Sequence, residues 1–340
     1  MTTVDVESLG SGPLDEDPAT AEDVKKIAGK SPTRIALERL RKDKLAIVCG
    51  TVTGLLILSA LLAPVITKYW PWGAISTDPN SPGTNLDPIQ GNLPIFGPPL
   101  HGFIWQHPLG IDPYVASDNL AQLLYGLRTD LFIGFAATVL SIIVGIVLGL
   151  MAGFSRGIVD KVITFAIDVA LSFPFLLGAL SLAPIMTNRF ASNQSALNKA
   201  QIGSIIFVLV VFGWMGLARL IRGYVISLRE REFIQAAQVI GVPTRKILFK
   251  ELLPNLVAPI VVSISLTFPA NVTAEAGLSF LGLGITGSPS IGQTIARAQS
   301  YYQSYPLFLY APVFVLMVMV LALNLLGDSV RDAFDPGTRR

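Results

Sequence analysis

Charge, cysteine and histidine are all scarce in this chain of 340 residues, which has 14% charged residues, one cysteine and two histidines. A soluble domain carries about 25% charged residues. With so few charges, 51% hydrophobic residues and a mean hydropathy of +0.59, the chain belongs in a membrane. The lone Cys49 excludes an internal disulfide framework and a cysteine metal cluster, and its place in the first apolar run predicts a small buried thiol. His101 and His107 share no third ligand at metal-binding spacing, so both read as solvated loop residues and no metal site is expected. The net charge of +2 comes from basic residues dispersed among segment ends, which implies no nucleic-acid partner. Catalytic signatures are missing as well: there is no H-E-x-x-H and no G-x-S-x-G. Gly29-Lys30-Ser31 imitates the end of a phosphate-binding loop, but Val24 stands where the first glycine belongs and no strand precedes it. No catalytic residues and no cofactor are expected in this chain, and any ATP must be hydrolysed elsewhere.

What the chain does have is long apolar runs. Six are long enough for a hydrocarbon core of about 30 Å, which takes roughly 20 helical residues: Leu45–Thr67, Leu131–Phe154, Val162–Leu182, Gly203–Ile226, Leu256–Ala274 and Leu307–Leu326. Pro174 is expected to kink the third. With the N-terminus inside, 20 of the 25 Lys and Arg fall on the cytosolic side, the retention pattern of cytoplasmic loops, so both termini are expected in the cytosol. The organisation that follows is a disordered acidic tail over 1–31, with no apolar signal-peptide core, and an elbow helix with the first span over 32–67. An external proline-rich loop follows over 68–128, then a core of five spans over 129–328 with a polar insert over 229–254, and a cytosolic tail over 329–340. Ser31 and Pro32 are suited to start the elbow helix, which carries Ile35, Leu37 and Leu40 toward the lipid surface. Trp70 and Trp72 suit an interfacial belt, and the rest of the loop is either a partner-facing cap or a flexible decoration.

Few residues stand out as chemically active. Asp168 is the only charge placed in the middle of a predicted span, where it serves either an ion pair with Arg219 or Arg222 or a proton or cation site. Gly145, Gly149 and Gly153 recur every four residues and form one small-residue face, for a subunit seam or for packing within the chain. The insert "REREFIQAAQVIGVPTRKILFKELLPN" looks soluble: Phe233, Ala236, Ala237 and Ile240 share a face, Gly241 is placed as a C-terminal stop with Pro243 behind it, and a second helix runs to Pro254. A short helix exposing alanines suits another protein's groove, with Arg229, Arg231 or Glu232 in rim pairs. The other reading is a connector resting on its own bundle.

The insert resembles the coupling motif of ATP-binding cassette importer permeases, an E-A-A, three residues and a G, ending L-P-N in peptide permeases. Gln235-Ala236-Ala237, Gly241 and Leu253-Pro254-Asn255 occupy those places, with Gln235 replacing the usual glutamate. "RLRKDKLAIV", "HPLGID", "DVALSFPFLL", "EAGLSFLGLG" and "NLLGDSVRDAFDP" are similar, in family order, to the C-type subunit of dipeptide and oligopeptide permeases, whose relatives also import glutathione or nickel. "HPLGIDPYVASDN" lacks the family's G-R-D, and the outer loop is longer than typical. The resemblance implies an all-α membrane protein with the six-helix type I importer permease (MetI-like) fold. Its implied partners are a homologous B-type permease subunit, two cytosolic ATPase subunits (or one fused chain) that bind ATP and Mg, and an extracellular substrate-binding protein. It places the ATPase contact at Phe233, Gln235, Ala236, Ala237 and Gly241, flanked by Arg231 and Glu232. Glu275, Leu278, Phe280 and Leu281, where the fifth span reaches the outer face, are candidates for a pathway or outer gate, or else for buried packing. A secondary carrier is the competing reading; it would call for several buried ionisable groups and inverted repeats, of which the sequence shows neither.

Overall fold

The computed structural model describes residues 32–69 and 86–335, apart from positions 88, 90–92, 96, 98–100, 106, 114–116, 189, 191 and 286. The acidic tail, the Ser31 cap, Trp70 and Trp72 lie outside the described residues. In chain order the elements are α1 (Pro32–Leu40), α2 (Lys44–Tyr69), a two-residue antiparallel pair β1 (Leu86–Asp87) and β2 (Leu93–Pro94), α3 (Asn119–Phe154), α4 (Ile158–Ser172), α5 (Phe175–Asn188), α6 (Gln194–Gly213), α7 (Met215–Arg229) and α8 (Glu232–Val239). The short α9 (Thr244–Lys246) leads through a wide π turn, Ile247–Leu252, into α10 (Leu253–Asn255). Then come α11 (Val257–Leu278), a second π turn (Ser279–Leu283), α12 (Ile291–Ala298) and α13 (Pro306–Phe334).

Among the described residues, five helical stretches are long and apolar enough to cross a membrane: α2, α3, α6 with α7, α11 with its π turn, and α13. The remaining predicted span, the third in chain order, is broken. Phe173-Pro174 separates α4 from α5, and the two meet at 94°. Proline lacks the N–H that would bond one turn back, and its ring disfavours helical backbone at the preceding residue; Phe173 is accordingly extended, at ψ 128°.

α3 begins at Asn119, well before the predicted Leu131. Its first turn is capped by Asp118, whose Oδ1 accepts from the Ala121 N–H at 2.7 Å. At 36 residues α3 is about 54 Å long, so it overshoots the hydrocarbon core and its polar first turns pack against protein. Asn119 donates to the Leu109 carbonyl and the Tyr305 hydroxyl, and Gln122 donates to Asp112 at 2.8 Å and accepts from Arg297 at 2.8 Å. His107 is bound into this network through Nδ1 and Asp118 Oδ2, 2.9 Å apart, which corrects its reading as a solvated residue; His101 is exposed. Buried Tyr305 donates to the Leu109 carbonyl, and burial pushes its phenol upward from the ordinary value.

At the opposite end α1 leans on the last turns of α13. Arg39 donates to the backbone carbonyls of Ala333 and Asp335, and a hydrogen bond with Ser329 helps hold the Asp43 carboxyl below its usual range. The segment expected as a tail from 329 is therefore helical through Phe334.

α3 crosses α7 closely, and glycine makes that approach possible. A Cβ added at Gly145 would fall 3.0 Å from the Trp214 carbonyl oxygen, at Gly149 2.8 Å from that of Ala218, and at Gly153 2.9 Å from that of Arg222. The small-residue face is thus packed within the chain. Gly149→Val should lower the thermal stability of the purified protein by about 1–3 kcal/mol, the usual penalty of overpacking. Gly216→Ala, in α7 with nothing within 4 Å of the added carbon, should leave the melting temperature unchanged or higher.

Candidate functional site

The polar insert folds as a braced protrusion. α8 runs for two turns and ends in a Schellman motif: Val242 N–H donates to the Ala237 carbonyl at 3.0 Å, Gly241 N–H to that of Gln238 at 3.1 Å, and Gly241 takes φ +82°. Gly241 is needed there because a left-handed residue ends the helix and turns the chain back. Beyond α9, the π turn brings Leu253 N–H to the Leu248 carbonyl, ending immediately before Pro254, which has no N–H to continue an ordinary ladder.

One apolar cluster holds the protrusion. Ile234 of α8 with Ile247, Leu252 and Leu256 of the following segment are at most 1% exposed, packed with Ile142 and Leu150 of α3 and Leu217, Ile221 and Val225 of α7. Burying Ile234 in this way contributes about 1.5–3 kcal/mol. Ala237 packs partly against the same cluster. The inward face is therefore Ile234 and Ala237, whereas the heptad-like reading of the sequence grouped Phe233, Ala236, Ala237 and Ile240. Phe233, Gln235 and Ala236 are exposed, as are Arg231 and Glu232, and the tip residues Val239 and Ile240 are 87% and 80% exposed. Gln235 donates to the Glu230 carbonyl at 3.2 Å. The protrusion thus offers an apolar tip flanked by charges and rooted in the core by a fixed set of side chains.

α7 leads into α8 through Glu230 and Arg231, and it carries polar ties to the broken pair. Arg222 makes a two-pronged contact with Asp160 of α4, Nε to Oδ1 at 2.6 Å and Nη2 to Oδ2 at 3.0 Å. Arg219 is bonded to Asp168, so the lone charge predicted in mid-span is an ion-pair member, with both side chains more than half exposed on this chain. Arg229 donates to the carbonyls of Gly153 and Phe154 at the C-terminus of α3, where helical carbonyls lack partners of their own.

A cavity of about 1050 Å³ lies along α2, α3 and α11, walled by Leu61, Phe132, Phe135, Ile264, Phe268 and the Ser288-Pro289 segment, with Arg128 as the one charged residue in its lining. The lining is chiefly apolar, with hydroxyls from Tyr125, Thr129 and Thr138. None of the four outer-gate candidates is among its lining residues. Glu275 and Leu278 are buried, at 0% and 2%, while Phe280 and Leu281 face outward on the π turn.

Sequence reasoning singled out Glu275 but missed Asp130 and the pairing of the two acids. Asp130 of α3 and Glu275 of α11 are both 0% exposed and in side-chain contact. Asp130 fell just outside a span drawn from Leu131, and Glu275 just past one ended at Ala274; scanning the helical extensions of both runs for acids would have found Asp130 as well.

Comparison with known proteins matches this architecture. The family described as "Binding-protein-dependent transport system inner membrane component" matches residues 145–340, and the "N-terminal TM domain of oligopeptide transport permease C" matches residues 31–88. The dipeptide transport system permease protein DppC of Alkalihalophilus pseudofirmus is 34% identical over 307 residues, 90% of each chain. The oligopeptide transport system permease protein OppC of Bacillus subtilis is 31% identical over 328 residues, 95% of this chain and 96% of that one. Among solved structures, the MetNI methionine ABC transporter has a chain that aligns with a TM-score of 0.49 at 17% identity, covering 63% of this chain and 96% of that chain. The family match over residues 145–340 and the relatives DppC and OppC make this multi-pass membrane chain a member of the binding-protein-dependent transport system inner membrane component family, a permease subunit of the ATP-binding cassette importer type.

Proposed function

We propose that this chain is the C-type permease half of an importer for dipeptides or oligopeptides in a bacterial cytoplasmic membrane, with both termini and α8 in the cytosol. Its relatives DppC and OppC are dipeptide and oligopeptide permeases by name, and the basic residues gather on the α8 side. A homologous B-type permease completes the pathway, two ATPase subunits or one fused chain bind ATP and Mg, and an extracellular binding protein delivers the peptide. The chain itself catalyses nothing.

The observation that carries this reading is the exposed tip of α8 on a fully buried root. Exposed Val239 and Ile240 offer apolar area for a partner's groove, while Ile234 prevents α8 from moving independently of α3 and α7. A push on the tip is therefore a push on α7, and the Asp160–Arg222 tie passes it to the broken α4–α5 pair. ATP and the loaded binding protein then bias a single two-state equilibrium from opposite ends. A largely apolar cavity with scattered hydroxyls suits cargo whose side chains vary, leaving selection to the binding protein.

Ala236→Arg places a long charged side chain on the partner-facing side of α8 and spares the Ile234–Ala237 face. It should leave membrane insertion intact and abolish both ATPase co-purification and peptide uptake; normal uptake would contradict the assignment. Charge reversal at Arg222→Asp should lower uptake by at least about fivefold, as expected for a coupling of about 1 kcal/mol. The paired exchange Asp160→Arg with Arg222→Asp should restore most of it in the same uptake assay.

A further inference from the structure

The buried acids Asp130 and Glu275 play no part in the account so far, and their surroundings are specific. Glu275 Oε1 accepts from the Ser279 hydroxyl at 2.7 Å and from the Ser290 hydroxyl at 3.2 Å. Asp130 Oδ2 accepts from the Ile291 N–H, at the start of α12, at 3.2 Å. The other two oxygens, Asp130 Oδ1 and Glu275 Oε2, are buried with no donor among the described residues, although the two side chains touch. Each carboxyl thus has one oxygen supplied with donors and one without.

No cation among the described residues answers this charge. Among the described residues, the basic groups on the elements packed around the pair are Lys44 and Lys68 of α2, Arg128 of α3, Lys199 of α6, Arg297 of α12 and Arg331 of α13. Lys44, Lys68, Arg128, Lys199 and Arg331 are exposed, and Arg297 is engaged with Asp112, at 3.5 Å, and Gln122. Asp112 and Asp118, the nearest other acids of the loop, belong to that separate network. The backbones also close tightly around the pair. A Cβ on Gly126 would fall 3.0 Å from Ile291 N, one on Gly134 2.5 Å from Val272 Cγ2, and one on Gly292 2.0 Å from the Ala276 carbonyl oxygen. Two ionised carboxylates in contact, away from water and counter-charge, repel each other and lose hydration. A single proton shared by the pair removes the repulsion and adds a donor.

We propose that Asp130 and Glu275 form a proton-binding site, an acid–carboxylate pair sharing one proton, that latches α12 and the Ser288–Ile291 segment onto α3 and α11. Ser288 and Pro289 wall the cavity, while the next two residues, Ser290 and Ile291, donate to the acids. The proton therefore fixes one wall of the cavity. Loss of the proton sets two like charges against each other across the α3–α11 contact and loosens that wall. The stabilisation belongs to the protonated pair, so it is present at low pH and lost as pH rises.

The test uses the full chain in its native assembly, solubilised from the membrane, as wild type and as Asp130→Asn, whose amide replaces the shared proton as a donor to Glu275. The infrared difference spectrum, wild type minus variant at pH 7, should show a protonated-carboxyl C=O band. Between pH 6 and pH 9 the wild-type melting temperature should fall by at least about 2 °C more than that of the variant. Glu275→Gln should abolish the same excess slope, which keeps the test open if Asp130→Asn folds poorly. Absence of the band, equal pH slopes in wild type and variants, or a melting temperature raised by sodium or potassium in wild type alone would overturn the proposal, the last by assigning the gap to a metal cation.

Discussion

The glycine-permitted contact between α3 and α7 is the constraint on which the rest of this structure depends. Backbone meets backbone at three successive turns of α3, and that closeness makes a rigid pair out of two long helices. On one end of the pair sits the apolar cluster that roots α8; along its side run the arginine contacts to α4. A looser crossing, with ordinary side chains between the helices, would leave α8 attached to a flexible stalk. Movement at its tip would then be absorbed locally rather than passed along the bundle.

The apolar spans were legible because lipid-facing helices need unbroken hydrophobic length. The break at Pro174 and the stop at Gly241 were legible because each rests on a backbone property of one residue type. The start of α3 was not: Asn119, Gln122 and Asp130 are polar yet buried, bonded to Leu109 and Asp112 in the preceding loop and to Tyr305 and Ile291 more than 160 residues away. Hydropathy registers their polarity and carries no record of those partners. The same blindness hid the contact of Asp130 with Glu275, and it made His107 look like a loop residue. At α8 the period was right and the phase was offset, because which face turns inward depends on the seat provided by α3 and α7. Ile234 fits that seat, while Phe233, one residue away, faces out.

The two ends of the molecule are built on different physics. Near α8, exposed apolar residues stand on a dry aliphatic root, an arrangement that transmits force and leaves a surface for a partner. Near the 86–118 loop, polar groups are buried in hydrogen-bonded networks that fix the positions of α12 and the cavity wall. An importer permease needs both, one end that takes up work and another that holds its pathway in defined states. Their separation along the 36-residue α3 places the proposed site of energy input far from the cavity wall.

The most direct test of this account is the accessibility of the α8 tip. Val239→Cys in a Cys49→Ala background provides a single thiol at a position 87% exposed on this chain, and a membrane-impermeant maleimide applied to inside-out vesicles reports whether it is reachable. The account predicts rapid labelling of the chain expressed alone and strong protection when the ATPase subunits are co-expressed. Equal labelling with and without them, or labelling only in right-side-out vesicles, would contradict α8 as the cytosolic seat of the ATPase.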